Sequence, residues 1–262
     1  MIHDSAIIDP SAKLGNGVSI GPWSIIGPNV EVGDNVEIAS NVIVKGPSRI
    51  GSGVRIYQFA TVGEDTPAFA YAGEPSILEI GENTVIREGV TIHRGMDKGG
   101  IGRTEVGSHC LLMAYVHVGH DCIVGDHVIM ANNASLAGHV EVGDYANFGG
   151  YAGVPQFRKI GAYTHIAAMS LVTKDVPAYM TVSGNPAYAF GMNTEGMKRR
   201  GYDVETIEQL KQAYRTVYRK GLRVQEALDA LAPMRSQSAE VELFAASVEV
   251  SAKGIIRARS AN

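Results

Sequence analysis

Cysteine is scarce in this chain, with only Cys110 and Cys122 among 262 residues, and tryptophan appears once. Two cysteines do not make a disulfide framework, and a cytoplasmic protein with reduced thiols is the simple expectation. No apolar run approaches the roughly 20 residues that a membrane-spanning helix needs. The segment from Met1 to Leu14 mixes acids and a proline with its apolar residues. It lacks the basic-then-apolar order of a signal peptide. Positive charge is not in excess either, and a net charge of -4 argues against nucleic acid as the main partner. What is present is a 45% hydrophobic chain with 31 glycines, enough for one large domain or one domain with a smaller cap.

Its dominant feature is a period of six. Every sixth residue from Ile8 through Val62 is aliphatic, and the clock resumes at Ile80, Ile86 and Ile92. It starts again in a new phase at Val106 and runs through Leu112, Val118, Val124, Met130, Leu136, Val142, Phe148, Val154, Ile160, Ile166 and Val172. All 25 of these slots are apolar, and 13 are followed directly by glycine. By composition alone such a run has a probability of ~2×10⁻⁹ before phase choice. An inward aliphatic residue followed by a turn, repeated every six residues, describes one face of a prism. Three faces close a coil of about 18 residues, and stacked coils form a parallel β-solenoid. A β-sandwich would instead alternate with period two. The repeat leaves the hand of the coil open.

The clock breaks twice. The interval from Ile92 to Val106 is not a multiple of six, so part of it leaves the prism as a loop, expected at about 93–105. Slots 68 and 74 hold Ala68 and Glu74, which marks a second excursion at about 64–76. Loops on a rigid scaffold are favoured places for binding. After Val172 the clock stops. Val176-Pro177 and Gly184-Asn185-Pro186 read as a linker, and the apolar spacing then becomes helical over Val204–Lys220 and Val224–Leu231, with a further helix over Ala239–Val248. The expected division is a β-helix over 1–190 and an α-helical C-terminal domain over 191–262. From Asn193 to Arg223 eight basic residues face four acids, so this stretch is positive within a negative chain. Such a surface suits an acidic protein or a phosphorylated ligand, or is simply a solvated helix face.

Histidines gather along one edge. With coils of 18 residues, His120 stacks beneath Gly138 and Gly138 beneath Gln156, while Asp121 stacks beneath His139. A histidine there can deprotonate a hydroxyl, an adjacent carboxylate can fix its tautomer, and a bare glycine N–H can donate to an oxyanion. Surface histidines at turns are the bland alternative. A metal site of His117, His120 and His139, as in trimeric β-helix carbonic anhydrases, is another.

The runs Ile56-Tyr57-Gln58-Phe59-Ala60, Tyr71-Ala72-Gly73-Glu74-Pro75, Thr91-Ile92-His93-Arg94-Gly95, Gly119-His120-Asp121-Cys122, Leu136-Ala137-Gly138-His139-Val140 and Asn193 through Gly201 resemble the UDP-N-acetylglucosamine O-acyltransferase family, and the likeness covers nearly the whole chain. The resemblance implies a mainly β fold, a left-handed parallel β-helix of hexapeptide repeats with a C-terminal α-helical cap. It also implies a cytoplasmic homotrimer with sites between subunits. The family moves a 3-hydroxyacyl chain from acyl carrier protein to the glucosamine 3-hydroxyl of UDP-N-acetylglucosamine, the first step of lipid A biosynthesis, and no cofactor or metal is expected. His120 falls on the general base, with Asp121 beside it, and Gly138 on the oxyanion donor. His117, His139 and Gln156 fall on substrate-binding positions, Asn193, Glu195, Arg199 and Arg200 on nucleotide contacts, and His165 and Ala168 on the acyl-chain pocket. The basic cap fits docking of acyl carrier protein. Two places depart from the family. Ala68-Phe69-Ala70 stands where Asp-Leu-Lys is usual, and Pro155 where histidine is usual. The departures point to an altered acyl donor, including chains without the 3-hydroxyl. An amide-forming amino-sugar acceptor and a non-catalytic solenoid are the alternatives.

Overall fold

The structure is a computed structural model that describes residues 1–251 and 254–259. Short parallel strands repeat three to a coil and stack into three sheets of eight, eight and ten strands. In one coil, His117–Val118 lies on the first face, Ile123–Val124 on the second and Ile129–Met130 on the third. The register between coils is in phase: His117 pairs with Ser135, Ile123 with Glu141 and Ile129 with Asn147. The second residue of each two-residue strand of the prism points inward, so the aliphatic clock becomes the core; Val118, Val124, Met130 and Leu136 are all buried. Burying such a side chain contributes about 1.5–3 kcal/mol, repeated at every corner-to-corner step.

Each corner needs one residue in the left-handed region. From Asp121 to Met169 the role falls in steps of six on Asp121, His127, Asn133, His139, Tyr145, Tyr151, Phe157, Tyr163 and Met169, with φ between 56° and 62°. Asparagine, aspartate and histidine tolerate this conformation better than most residues. Tyr145 and Tyr163 are held there by stacking: His109, His127, Tyr145, Tyr163 and Tyr179 form a ladder of near-parallel rings, with centroids 4.6–5.0 Å apart, along the edge between the second and third faces.

Two segments leave the prism. Strand Thr61–Glu64 is followed by Ile77–Ile80, and strand Thr91–His93 by Arg103–Val106. The sheets continue across both: Val62 pairs with Ile92, and Ile77 with Arg103. Both excursions project near the edge between the first and second faces.

Beyond the last coil the linker expectation is corrected. Met180–Gly184 pairs in parallel with His165–Ile166 and in antiparallel fashion with Ala187–Met192, so a hairpin extends the third sheet. Open backbone groups at the end of a sheet recruit a partner strand, and the Pro186 turn supplies one. Among the described residues four helices follow: α1 (Thr194–Arg199), α2 (Val204–Tyr218), α3 (Val224–Arg235) and α4 (Ala239–Glu249). Asn193, Asp203 and Ser238 cap α1, α2 and α4 through their side chains. The helices bury Leu210, Leu228, Leu231 and Phe244 in the same apolar core that fills the prism. Among the described residues no helix is long and apolar enough to cross a membrane.

Candidate active site

The edge between the first and second faces holds His120, Asp121, Gly138, His139, Gln156 and Phe157. Coil stacking sets the contacts: the His139 N–H donates to the His120 carbonyl at 2.9 Å. A Cβ built on Gly138 would lie 2.5 Å from His120 Nε2, so only glycine leaves room for the imidazole there. The His120 ring meets the His139 ring edge-on at 4.8 Å, and His139 stacks on Phe157 at 4.4 Å. Gln156 is exposed at the rim.

His120 Nδ1 and Asp121 Oδ2 lie 2.7 Å apart. An ionised carboxylate accepts, so this bond places the proton on Nδ1 and leaves Nε2 as a free base aimed at Gly138. Burial pushes the Asp121 carboxyl up, but the His120 bond and the amides of Ile101 and Met96 outweigh it and hold it below the ordinary aspartate value. His139 is held below the ordinary histidine value, chiefly by burial. His117 is also half-buried. Burial first, then His93 and His120, push it down to about 4. It is therefore neutral at pH 7, and its Nδ1 lies 2.8 Å from the Thr91 hydroxyl.

Among the described residues one group could hold a metal ion, and it consists of His120, Asp121 and His139, with ligand atoms within 4.8 Å of one another. It does not take in His117. A cation at Asp121 would have to displace the N–H donors of Met96, Ile101 and Gly102 as well as His120.

Asn193, Glu195, Arg199 and Arg200 lie elsewhere on the chain, over the edge between the second and third faces. Asn193 donates to the Tyr163 carbonyl at 2.9 Å while capping α1. The Arg200 guanidinium lies 4.3 Å over the Tyr145 ring. With Tyr163, Arg199, Gly201 and Tyr202 these two residues line an open hollow of about 590 Å³. Glu195 pairs with Arg199 at 3.0 Å. His165 and Ala168 belong to the third face and the corner after it; His165 Nδ1 lies 3.0 Å from Asn147 Oδ1, burial holds it below the ordinary histidine value, and Ala168 is exposed. One chain thus brings the histidine set together and keeps the arginine set at a different edge.

Sequence reasoning missed the loop amides on Asp121, which are backbone groups, and the tyrosines under Arg200. The tyrosines did leave a signal: Tyr145 and Tyr163 recur at the coil length.

The C-terminal part, residues 175–256, matches the model of UDP-N-acetylglucosamine O-acyltransferase domain 2, and residues 1–33 and 103–138 match the bacterial transferase hexapeptide repeat. Acyl-[acyl-carrier-protein]--UDP-N-acetylglucosamine O-acyltransferases are 52% identical to the chain in Stutzerimonas stutzeri and 53% in Pseudomonas putida, each over 98% of this chain and 99% of the relative. LpxA from Acinetobacter baumannii superposes with a TM-score of 0.95 at 47% identity, and UDP-N-acetylglucosamine O-acyltransferase (LpxA) from Moraxella catarrhalis with 0.96 at 44%, each over 98% of this chain and 99% of that structure. The fold is the left-handed parallel β-helix of hexapeptide repeats. Through its full-length relatives, its repeat and its C-terminal part alike, the chain belongs to the UDP-N-acetylglucosamine O-acyltransferase family.

Proposed function

We propose that the protein transfers an acyl chain from acyl carrier protein to the glucosamine 3-hydroxyl of UDP-N-acetylglucosamine, with His120 as the general base. The observation that carries this reading is the His120 ring itself: Nδ1 committed to Asp121 at 2.7 Å, and Nε2 free against the bare Cα of Gly138. Nε2 takes the hydroxyl proton as the oxygen attacks the thioester carbonyl carbon. The Gly138 N–H donates to the oxyanion of the tetrahedral intermediate. The intermediate then expels the carrier thiolate, which recovers the proton from His120. Such a base supplies typically ~10²–10⁴-fold. His117, neutral and half-buried, His139 and Gln156 flank the acceptor sugar.

Asn193, Glu195, Arg199 and Arg200 contact the nucleotide. Arginine suits a diphosphate because its fork donates in pairs. They stand at a different edge from His120, so a complete site takes its base from one copy and these residues from another. That arrangement supports a homotrimer with sites at the seams, working in the cytoplasm where nucleotide sugar and carrier are found. His165 and Ala168 line the acyl chain, and the basic patch of Lys211, Arg215, Arg219 and Lys220 around a hollow at the end of α2 receives the acidic carrier.

The test is His120→Ala. Turnover is expected to fall by about 10²–10⁴-fold with oligomeric state and thermal midpoint unchanged; near-normal turnover removes His120 from the mechanism. A second reading concerns the donor. The tip Pro67-Ala68-Phe69-Ala70 carries no side-chain hydrogen-bonding group, and Phe69 is fully exposed. Donors without a 3-hydroxyl are therefore accepted alongside hydroxylated ones. Competition between the two carriers tests this, and a strong preference for the 3-hydroxyacyl form defeats it.

A further inference from the structure

We infer that the loop from Arg94 to Gly102 is a positioning device for the His120–Asp121 pair, with Gly100 and the amides of Met96, Ile101 and Gly102 as its working parts. This rests on the reading of His120 as the base.

The Asp121 side chain is fully buried. A buried carboxylate persists only where donors replace its water. Here the donors come from main chain. Ile101 N–H reaches Oδ1 at 2.7 Å and Gly102 N–H at 3.2 Å, and Met96 N–H reaches Oδ2 at 3.2 Å. With Oδ1 taken by amides, Oδ2 is turned toward His120 Nδ1. The loop thereby sets which carboxylate oxygen meets the imidazole and in what direction.

Gly100 makes the close approach possible. A Cβ there would lie 2.5 and 2.6 Å from the two Asp121 oxygens and would also strike the Met96 carbonyl. Its φ is not in the left-handed region, so the requirement is for space beside the carboxylate and not for backbone freedom.

The loop is itself clamped from behind. Arg94 is buried, and its guanidinium donates to the Gly63 carbonyl at 2.6 Å, to the Asp65 carboxylate and to the Tyr71 hydroxyl. The Thr66 hydroxyl donates to the Arg94 and Gly95 carbonyls, and Glu74 accepts from the Asp97 N–H. The two excursions are thus one unit, built against the first face and delivering N–H groups to a single buried carboxylate.

The experiment uses the full-length protein and compares Gly100→Ala, Ile101→Pro and Ile101→Ala with Asp121→Asn and His120→Ala. The readouts are kcat, KM for UDP-N-acetylglucosamine, and the ¹⁵N signals of the His120 ring. Gly100→Ala is expected to lower kcat by roughly ten- to a hundred-fold while KM for the nucleotide sugar stays within about twofold. It adds nothing in the Asp121→Asn background, because the two changes act through one group. Ile101→Pro deletes the shortest amide bond and loses far more turnover than Ile101→Ala, which keeps it. In Gly100→Ala and Ile101→Pro the ¹⁵N signals leave the pure Nδ1–H tautomer.

Wild-type kcat in Gly100→Ala overturns the inference, as does an undiminished loss on top of Asp121→Asn. Should Gly100→Ala fail to fold, the Ile101 pair decides, and equal losses in the two overturn it. Full turnover in His120→Ala would defeat the base reading. Even then the ring signals test the loop without turnover, and an unchanged tautomer in Gly100→Ala and Ile101→Pro overturns the inference.

Discussion

Two edges of the prism share one backbone and differ in what the repeat was allowed to keep. At the edge between the second and third faces, Asp34, Ser52, Asp126 and Asp144, each preceding a left-handed corner residue, cap the coil beneath them. The Asn16 N–H donates to Asp34, Asp34 N–H to the Ser52 hydroxyl, Ser108 N–H to Asp126 and Asp126 N–H to Asp144. Beside this ladder of oxygens runs the ladder of aromatic rings. Both satisfy the coil's own needs. At the edge between the first and second faces the same position holds His120, then Gly138, then Gln156. Glycine offers no cap, and the space it leaves is where Nε2 points. The scaffold rests on repeated occupancy of the corner, and the proposed chemistry on two departures from it.

The comparison breaks most readily at Gly138. Gly138→Ala puts a methyl 2.5 Å from Nε2, and turnover is expected to fall by about 10²-fold with little change in thermal midpoint. Gly150→Ala is the matched control at the third edge, where the new Cβ meets only the Asn132 carbonyl, at 3.3 Å; its turnover should stay at wild type. Equal initial rates for the two variants would show that the corner glycines are interchangeable.

A smaller effect separates the edges by what they act on. Arg200→Lys keeps the charge but loses the planar stack on Tyr145 and the paired donors. KM for UDP-N-acetylglucosamine should rise about tenfold at unchanged kcat. A fall in kcat with KM intact would place Arg200 with the reacting atoms.

The six-residue clock was legible because the core leaves no alternative: each inward slot is closed on all sides by three sheets, so every one must be apolar. The loops were legible because they broke the count, and the stacking of His120, Gly138 and Gln156 followed from coil length alone. Other features were not. The amides of Met96, Ile101 and Gly102 are present at nearly every residue, so nothing in their side chains marks them as donors to Asp121. Val176-Pro177 and Gly184-Asn185-Pro186 break periodicity and so read as a linker, whereas the open end of the third sheet takes up Met180–Gly184 and Ala187–Met192 as a hairpin. The perch of Arg200 on Tyr145 depends on where α1 lands beyond that hairpin, which no local pattern encodes.

Acid separates the edges by stability. His117 is pushed down to about 4 in the fold, against about 6.5 in an unfolded chain. Between these values the unfolded chain binds the extra proton, so stability is intact above about pH 6.5 and is lost as pH falls toward 4. Asp121, also lowered, adds to the loss only below the ordinary aspartate range. The Tm of His117→Gln should therefore fall less steeply over this window, by roughly 2–4 °C per kcal/mol of linkage. Parallel Tm-against-pH curves would assign the acid sensitivity elsewhere.

The smallest expected effect is at the aromatic edge. The His127 ring lies 4.9 Å from His109 and 4.6 Å from Tyr145, stacked on both. Removing it forfeits two contacts of about 0.5–1.5 kcal/mol each at most, less for a half-exposed ring. His127 also occupies the left-handed region at φ 56°, where alanine is less at ease than asparagine. His127→Asn removes the ring and keeps the backbone preference, whereas His127→Ala removes both. If stacking holds this edge, the two variants lose the same Tm. If the corner conformation holds it, only alanine loses. Turnover is expected to stay at wild type in both, since the proposed nucleotide contacts lie higher up the ladder, where Arg200 covers Tyr145.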